Sequence, residues 1–244
     1  MLQRTEGIVL RTHQFGEADL IVTYLTRDFG IVKAFAKSPR KTKSRFGSSL
    51  EPLTVSRLSF WGKEDTKLSR LTQSDIIHPF SLLRESLRCF LRASELIELT
   101  LHFVPERDPS RNVYALLIQT LTAMESSCDA PLIALTFKMK LLEMAGYLPG
   151  FHACGRCGSN SDAFHVSHGT VLCSACSGGR DISSRLSPAV RTFSLSLLKW
   201  ELEKIHRIKP SESILAELSL VIDEHVRFVM EKDLKTKNFG KAMA

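Results

Sequence analysis

No stretch of this chain approaches the ~18 consecutive apolar residues that cross a bilayer. The opening MLQRTEGIVLRTHQFGEADL is interrupted by Arg4, Glu6 and Arg11 and has no apolar core of the kind a secretory signal carries. A cytosolic protein with no membrane span is the expectation. Internal repeats and low-complexity tracts are absent. So are the phosphate-binding P-loop and the patterns G-x-G-x-x-G, H-E-x-x-H and G-x-S-x-G. Acids such as Glu95 and Glu98 fall on helical stretches and read as solvated faces, so nothing argues for an enzyme. Disorder is excluded by a composition of 43% hydrophobic and 24% charged residues. Acid is the scarcer sign: 26 Asp and Glu face 33 Lys and Arg, a net charge of +7. That balance suits nucleic acid, an anionic membrane or an acidic protein tail without choosing among them.

What is present falls into parts, and 244 residues are enough for one large domain or two to three small ones. Residues 1–78 read as β. GIVLRTHQ, DLIVTYLT, GIVKAFAK, LTVSRLSFW and LSRLTQSDII are short β-branched or aromatic runs, separated by turn-like segments and one long basic connection over 37–52. In LTVSRLSFW, Leu58 and Phe60 share one face, and Val55, Arg57 and Trp61 the other. Five short strands in this length predict a small closed barrel, either an OB-fold or an SH3-like barrel. Over 79–149 the apolar period becomes helical: Leu83, Leu87, Phe90 and Leu91, then Val113, Leu117, Leu121 and Met124. A further helix starts at Pro131 and closes at Gly146. After a cysteine-rich segment over 150–180, helices resume. Ser187-Pro188 is an N-cap and N1 pair for a helix carrying Val190, Phe193, Leu197, Trp200 and Ile205. A last helix spans 212–232, and the tail DLKTKNFGKAMA is basic.

The cysteine segment, CGRCGSNSDAFHVSHGTVLCSAC, holds four of the chain's six cysteines as two C-x-x-C pairs with fifteen residues between them. In a reducing compartment such pairs point to metal rather than disulfides. Each pair offers two sulfurs to one ion, and two pairs complete a tetrahedron, the geometry Zn2+ prefers with thiolates. Cys154, Cys157, Cys173 and Cys176 are therefore expected to hold one structural zinc. Gly155, Gly158, Gly178 and Gly179 supply the turns. His152, His165 and His168 lie nearby but are superfluous to a closed four-thiolate shell. A redox motif lacks its βαβ context, and a zinc deaminase lacks H-x-E. Cys89 and Cys128 sit in helical context and read as plain thiols. The cluster is expected to be a staple, so the working surface lies elsewhere.

Its best candidate is KSPRKTKSR at 37–45, with Lys37, Arg40, Lys41, Lys43 and Arg45 and no acid. On a barrel this is a cationic loop able to track a phosphate backbone. Phe35, Phe46, Phe60 and Trp61 are near it in sequence, and such aromatics either stack on bases or fill the barrel.

These segments, in this order, resemble the RecO family of bacterial DNA repair proteins along the whole chain. GIVLRTHQFGEADLIVTYLTRDFGIVKAFAKSPRK is similar to that family's opening strands, and SRFGSSLEPLT at 44–54 to its basic loop and the strand after it. FKMKLLEMAGYLPGFHACGRCG at 137–158 is similar to its last helix before the zinc segment, FHVSHGTVLCSAC at 164–176 continues the match, and DLKTKNF is similar to its closing segment with Thr236 for the usual serine. At the turn before the second cysteine pair, His168-Gly169 departs from the family's glycine pair.

The resemblance implies an α+β protein with a five-stranded OB-fold barrel (1–78) and an all-α domain (79–149). It further implies an inserted zinc knuckle of four cysteines (150–180) and C-terminal helices packing on the helical domain (181–244). It implies a cytoplasmic, nucleoid-associated, non-enzymatic mediator of DNA repair and homologous recombination. Such a protein binds single- and double-stranded DNA, anneals complementary strands and helps load RecA onto DNA coated by single-strand binding protein (SSB). Its implied partners are RecR, in some lineages RecF, and the C-terminal tail of SSB. Carried over, Lys37, Arg40, Lys41, Lys43 and Arg45 are the DNA contacts and the four cysteines the zinc ligands. Two other classes fit the residues: a zinc-stabilised adaptor for acidic protein tails without DNA activity, and an RNA-binding barrel.

Overall fold

The computed structural model describes residues 1–39, 46–62, 67–127, 131–179 and 182–236. The chain divides into two compact units, Met1–Glu125 and Ser126–Ala244.

In the first unit, β1 (Leu2–Phe15), β2 (Asp19–Thr26), β3 (Gly30–Ala36), β4 (Val55–Trp61) and β5 (Ser69–His78) close a barrel in the order β1-β2-β3-β5-β4. Neighbours are antiparallel except β3 and β5, which pair in parallel through Ala34↔Ser69 and Phe35↔Arg70. This closed five-strand order is the OB-fold. Closure brings Val22, Tyr24, Val32, Ala34, Phe60 and Leu71 inward, each at most 1% exposed. The small Ala34 and Ala36 leave room for the rings of Tyr24 and Phe60, the large-and-small complementarity a narrow barrel needs.

The β2–β3 turn shows how tightly the barrel is fastened. Thr26 Oγ1 accepts from the Phe29 N–H (3.0 Å) and donates to the Gly30 carbonyl (2.8 Å). Gly30 has φ +62°, and a Cβ there would lie 2.2 Å from the backbone oxygen of Asp108. Gly30→Ala is therefore expected to cost roughly 2–5 kcal/mol, combining left-handed strain with a backbone collision that no rotamer relieves. Gly16 also has a left-handed φ (+67°) but open space around it, so Gly16→Ala costs only about 1 kcal/mol. Thermal denaturation of the pair checks this, and equal effects would contradict it.

Helices α1 (Ser81–Glu85), α2 (Leu87–Phe103) and α3 (Arg111–Ser126) follow. The helical period from residue 79 reads as continuous, but the chain is extended at Ser86, whose Oγ caps α2 by accepting from the Cys89 N–H at 3.5 Å. Within this unit Arg84 reaches the Pro52 carbonyl (3.1 Å), and Arg111 pairs with Asp28 (2.8 Å). Cys89 is buried; Cys128 lies outside the described residues.

The second unit is built on α4 (Pro131–Met144), which is apolar nearly all round and buried along most of its length. Helices α6 (Pro188–Lys199) and α7 (Glu212–Met230) pack on it. The half-exposed Asp223 carboxylate on α7 receives the buried Lys138 ammonium at 2.8 Å. Ser187 caps α6 as its sequence implies, accepting from the Val190 N–H. That helix stops at Lys199, however; Trp200 is extended, and Ile205 belongs to a separate 3-10 turn over Leu202–Arg207. Between α4 and α6 lie β6 (Ala163–His165), β7 (Thr170–Val171), α5 (Ser174–Ser177) and β8 (Ser184–Arg185), the strands forming a small sheet ordered β7-β6-β8. Among the described residues no helix is long and apolar enough to cross a membrane.

Candidate metal centre and nucleic-acid interface

The two C-x-x-C pairs meet. The sulfurs of Cys154, Cys157, Cys173 and Cys176 all lie within 4.8 Å of one another, and among the described residues the cluster includes no histidine. All four are free of disulfides. A tetrahedron with metal–sulfur bonds of about 2.3 Å has sulfurs about 3.8 Å apart. Cys157 Sγ and Cys173 Sγ are 3.6 Å apart, so the donor set fits one metal ion with little movement.

Local backbone chemistry builds each knuckle. At the first, the Gly158 N–H returns to the Cys154 carbonyl (2.8 Å), with Gly158 at φ +76°. At the second, the Cys176 N–H donates to the Cys173 carbonyl (3.0 Å), and Gly178 at φ +61° ends α5. The β6–β7 hairpin carries the chain from one knuckle to the other, turning at Gly169 (φ +60°). Gly155 has a different task from the turn expected of it. Its N–H donates to the Val171 carbonyl (3.0 Å), and a Cβ would sit 2.6 Å from Thr170 Cγ2, so the first knuckle lies directly against β7.

The sulfurs differ in acidity. Backbone hydrogen bonds at Cys173, then at Arg156, favour the Cys154 thiolate and bring it down to about 6. Ser159 lowers Cys157. Cys176 is pushed up to about 12 by hydrogen bonds to the sulfurs of Cys157 and Cys173. The metal-free cluster thus retains a proton that an incoming cation displaces.

Of the three nearby histidines, His165 is fully buried with neither ring nitrogen partnered among the described residues, and His168 sits 3.0 Å from Ser167 Oγ. Burial, then the charge of Arg191, lowers His152.

Of the five expected DNA contacts, Lys37 is exposed just beyond β3; Arg40, Lys41, Lys43 and Arg45 lie outside the described residues. Beside Phe35, already a candidate from the sequence, the barrel places residues that the sequence did not single out. Cross-strand pairing sets Arg11, Thr23 and Lys33 in one row over β1, β2 and β3, and His13, Ile21 and Phe35 in the next. The rings of Phe15 and Phe35 meet edge-to-face at 5.8 Å. Lys33 is paired with Glu106, while Arg11 and Lys37 have no ion-pair partner among the described residues. The available signal was the period-two spacing of Arg11, His13 and Phe15, which places all three on one face. Phe46 and Phe60 are core residues, 3% and 1% exposed.

The sequence matches the family model "Recombination protein O N terminal" over residues 1–80 and "Recombination protein O C terminal" over 84–238. It is similar to the DNA repair protein RecO of Thermodesulfovibrio yellowstonii, 41% identical with 93% of this chain and 92% of the relative covered. The RecO proteins of a Nocardioides species and of Dehalococcoides mccartyi strain 195 are 37% and 33% identical, with 97% and 95% of this chain and 98% and 92% of the relatives covered.

Proposed function

The chain belongs to the Recombination protein O family, whose field is DNA repair and recombination, and from that premise we propose that it is a non-catalytic strand-annealing mediator. In this reading it binds single- and double-stranded DNA, anneals complementary strands and helps load RecA onto SSB-coated DNA in the cytoplasm, at the nucleoid. RecR, in some lineages RecF, and the SSB C-terminal tail are its partners. The observation that carries the proposal is the OB barrel whose outer face bears Arg11, Lys37 and the Phe15–Phe35 pair and leads into the basic 40–45 segment.

Annealing requires two polyanions to be held together while their bases stay free to pair. Lysines and arginines that neutralise phosphates without reading sequence meet that need. Lys37, Arg40, Lys41, Lys43 and Arg45 make these contacts, with Arg11 beside them. Cys154, Cys157, Cys173 and Cys176 hold one zinc ion, which cross-links two knuckles. A full four-thiolate shell leaves no position for substrate, so the metal's contribution is structural.

Direct binding to labelled oligonucleotides tests the reading. Single strands and duplexes of scrambled sequence are expected to bind with affinities that vary little with sequence and fall steeply with salt. Absence of binding to either, with the protein folded and metal-loaded, would shift the assignment to an adaptor for acidic protein tails.

A further inference from the structure

Barrel closure joins the outer face of β3 to β5 and β4, elements far apart in sequence. Phe35 pairs with Arg70 across the parallel β3–β5 contact, Arg70 with Trp61 across β5–β4, and Trp61 with Leu2 across β4–β1. One continuous row therefore reads Phe35, Arg70, Trp61, Leu2. Its members point outward because their neighbours point in: Ala34, Phe60 and Leu71 are each at most 1% exposed. Trp61 is left 54% exposed, with Arg70 exposed beside it and Arg4 two residues along β1 from Leu2.

We infer that this row is a track for unpaired nucleic acid, with Phe35 and Trp61 as stacking platforms and Arg70 between them on the backbone. The inference rests on the DNA-binding reading and names the form of DNA and the residues that hold it. Two aromatic platforms lie two strand spacings apart, about 10 Å, with a guanidinium between them. That alternation suits a chain of flat bases joined by phosphates. Charge supports the same occupant. Arg4, Arg70 and Lys37 have no ion-pair partner among the described residues, and Lys37 continues the outward side of β3 toward the cationic 40–45 segment. The nearby Asp19 carboxylate is engaged, accepting the Ser38 N–H at 2.6 Å. The rings of Phe35 and Phe15 pack at right angles. A duplex hides its base faces and cannot use the platforms, so the row discriminates between strand states.

The test measures affinity of the full-length, metal-loaded protein for a labelled oligothymidine and for a duplex of equal length. Trp61→Ala is expected to weaken single-strand binding by about 5- to 100-fold, the range of a lost base–aromatic stack. Duplex affinity should change less than about twofold if only the stack is lost, and Trp61→Phe should restore most single-strand binding. In a Trp200→Phe protein, whose remaining tryptophan is Trp61, the single strand should quench the fluorescence and the duplex should not. Unchanged single-strand affinity in Trp61→Ala, equal losses on both forms, or an unquenched Trp61 would each overturn the track while leaving the DNA-binding reading intact. A parent protein that binds neither form would overturn both.

Discussion

Cys154→Ser is expected to abolish metal binding and to unfold the segment between α4 and α6. Besides the cysteines, the segment is held by a few buried apolar residues and by Arg191 of α6, which donates to the Phe151 carbonyl at 3.0 Å. Its strands are two or three residues long, too short to persist alone. Phe151 and Phe164, with ring centroids 5.6 Å apart, are the largest apolar side chains it buries. Structural zinc supplies on the order of 10–16 kcal/mol to comparably small peptides. The parent should contain one zinc per chain by elemental analysis and the variant none, and amide-exchange protection over 154–176 should collapse. Metal retention should weaken as pH falls, because protons compete for the same thiolates, Cys154 having its pKa near 6 in the metal-free state. A metal-free variant that keeps native protection across both knuckles would show that the hairpin, not the ion, holds the segment.

Replacing Lys37, Arg40, Lys41, Lys43 and Arg45 together by alanine should give the other large effect. If each touches a phosphate, the plot of log affinity against log salt flattens by about 0.7 per residue on single strands, roughly 3–4 in all. The loss should be the same for every sequence tested, since phosphate contacts carry no base information. The barrel should remain folded, because its core contains none of these residues. An unchanged slope would remove this loop from the interface and leave Arg11 and the outer rows as the binding surface.

Much of this was legible in the sequence where the chemistry is local. The two C-x-x-C pairs announce a four-thiolate site because their spacing alone nearly fixes the knuckles. The barrel strands were readable where apolar residues alternate. The start of β1 was not, because its inward residues there are Gln3 and Thr5, alternating with the charged Arg4 and Glu6. The end of α6 was hidden for another reason: residues 197–205 contain neither glycine nor proline, so the apolar period runs on past the point where the chain becomes extended. The Phe35–Arg70–Trp61 row was least accessible. It depends on a parallel register between residues 35 and 70, and long-range pairing leaves no mark in a local window. Alternation places Phe60 and Trp61 on opposite faces; only closure decides which of them faces the core.

The central claim is that one protein holds complementary strands together and gives access to strands already covered. Annealing of two labelled complementary oligonucleotides, bare and then coated with SSB, tests it most directly. Acceleration is expected in both cases, diminished by salt and by the five alanine substitutions. No acceleration on either substrate, by folded protein carrying its metal, would contradict it.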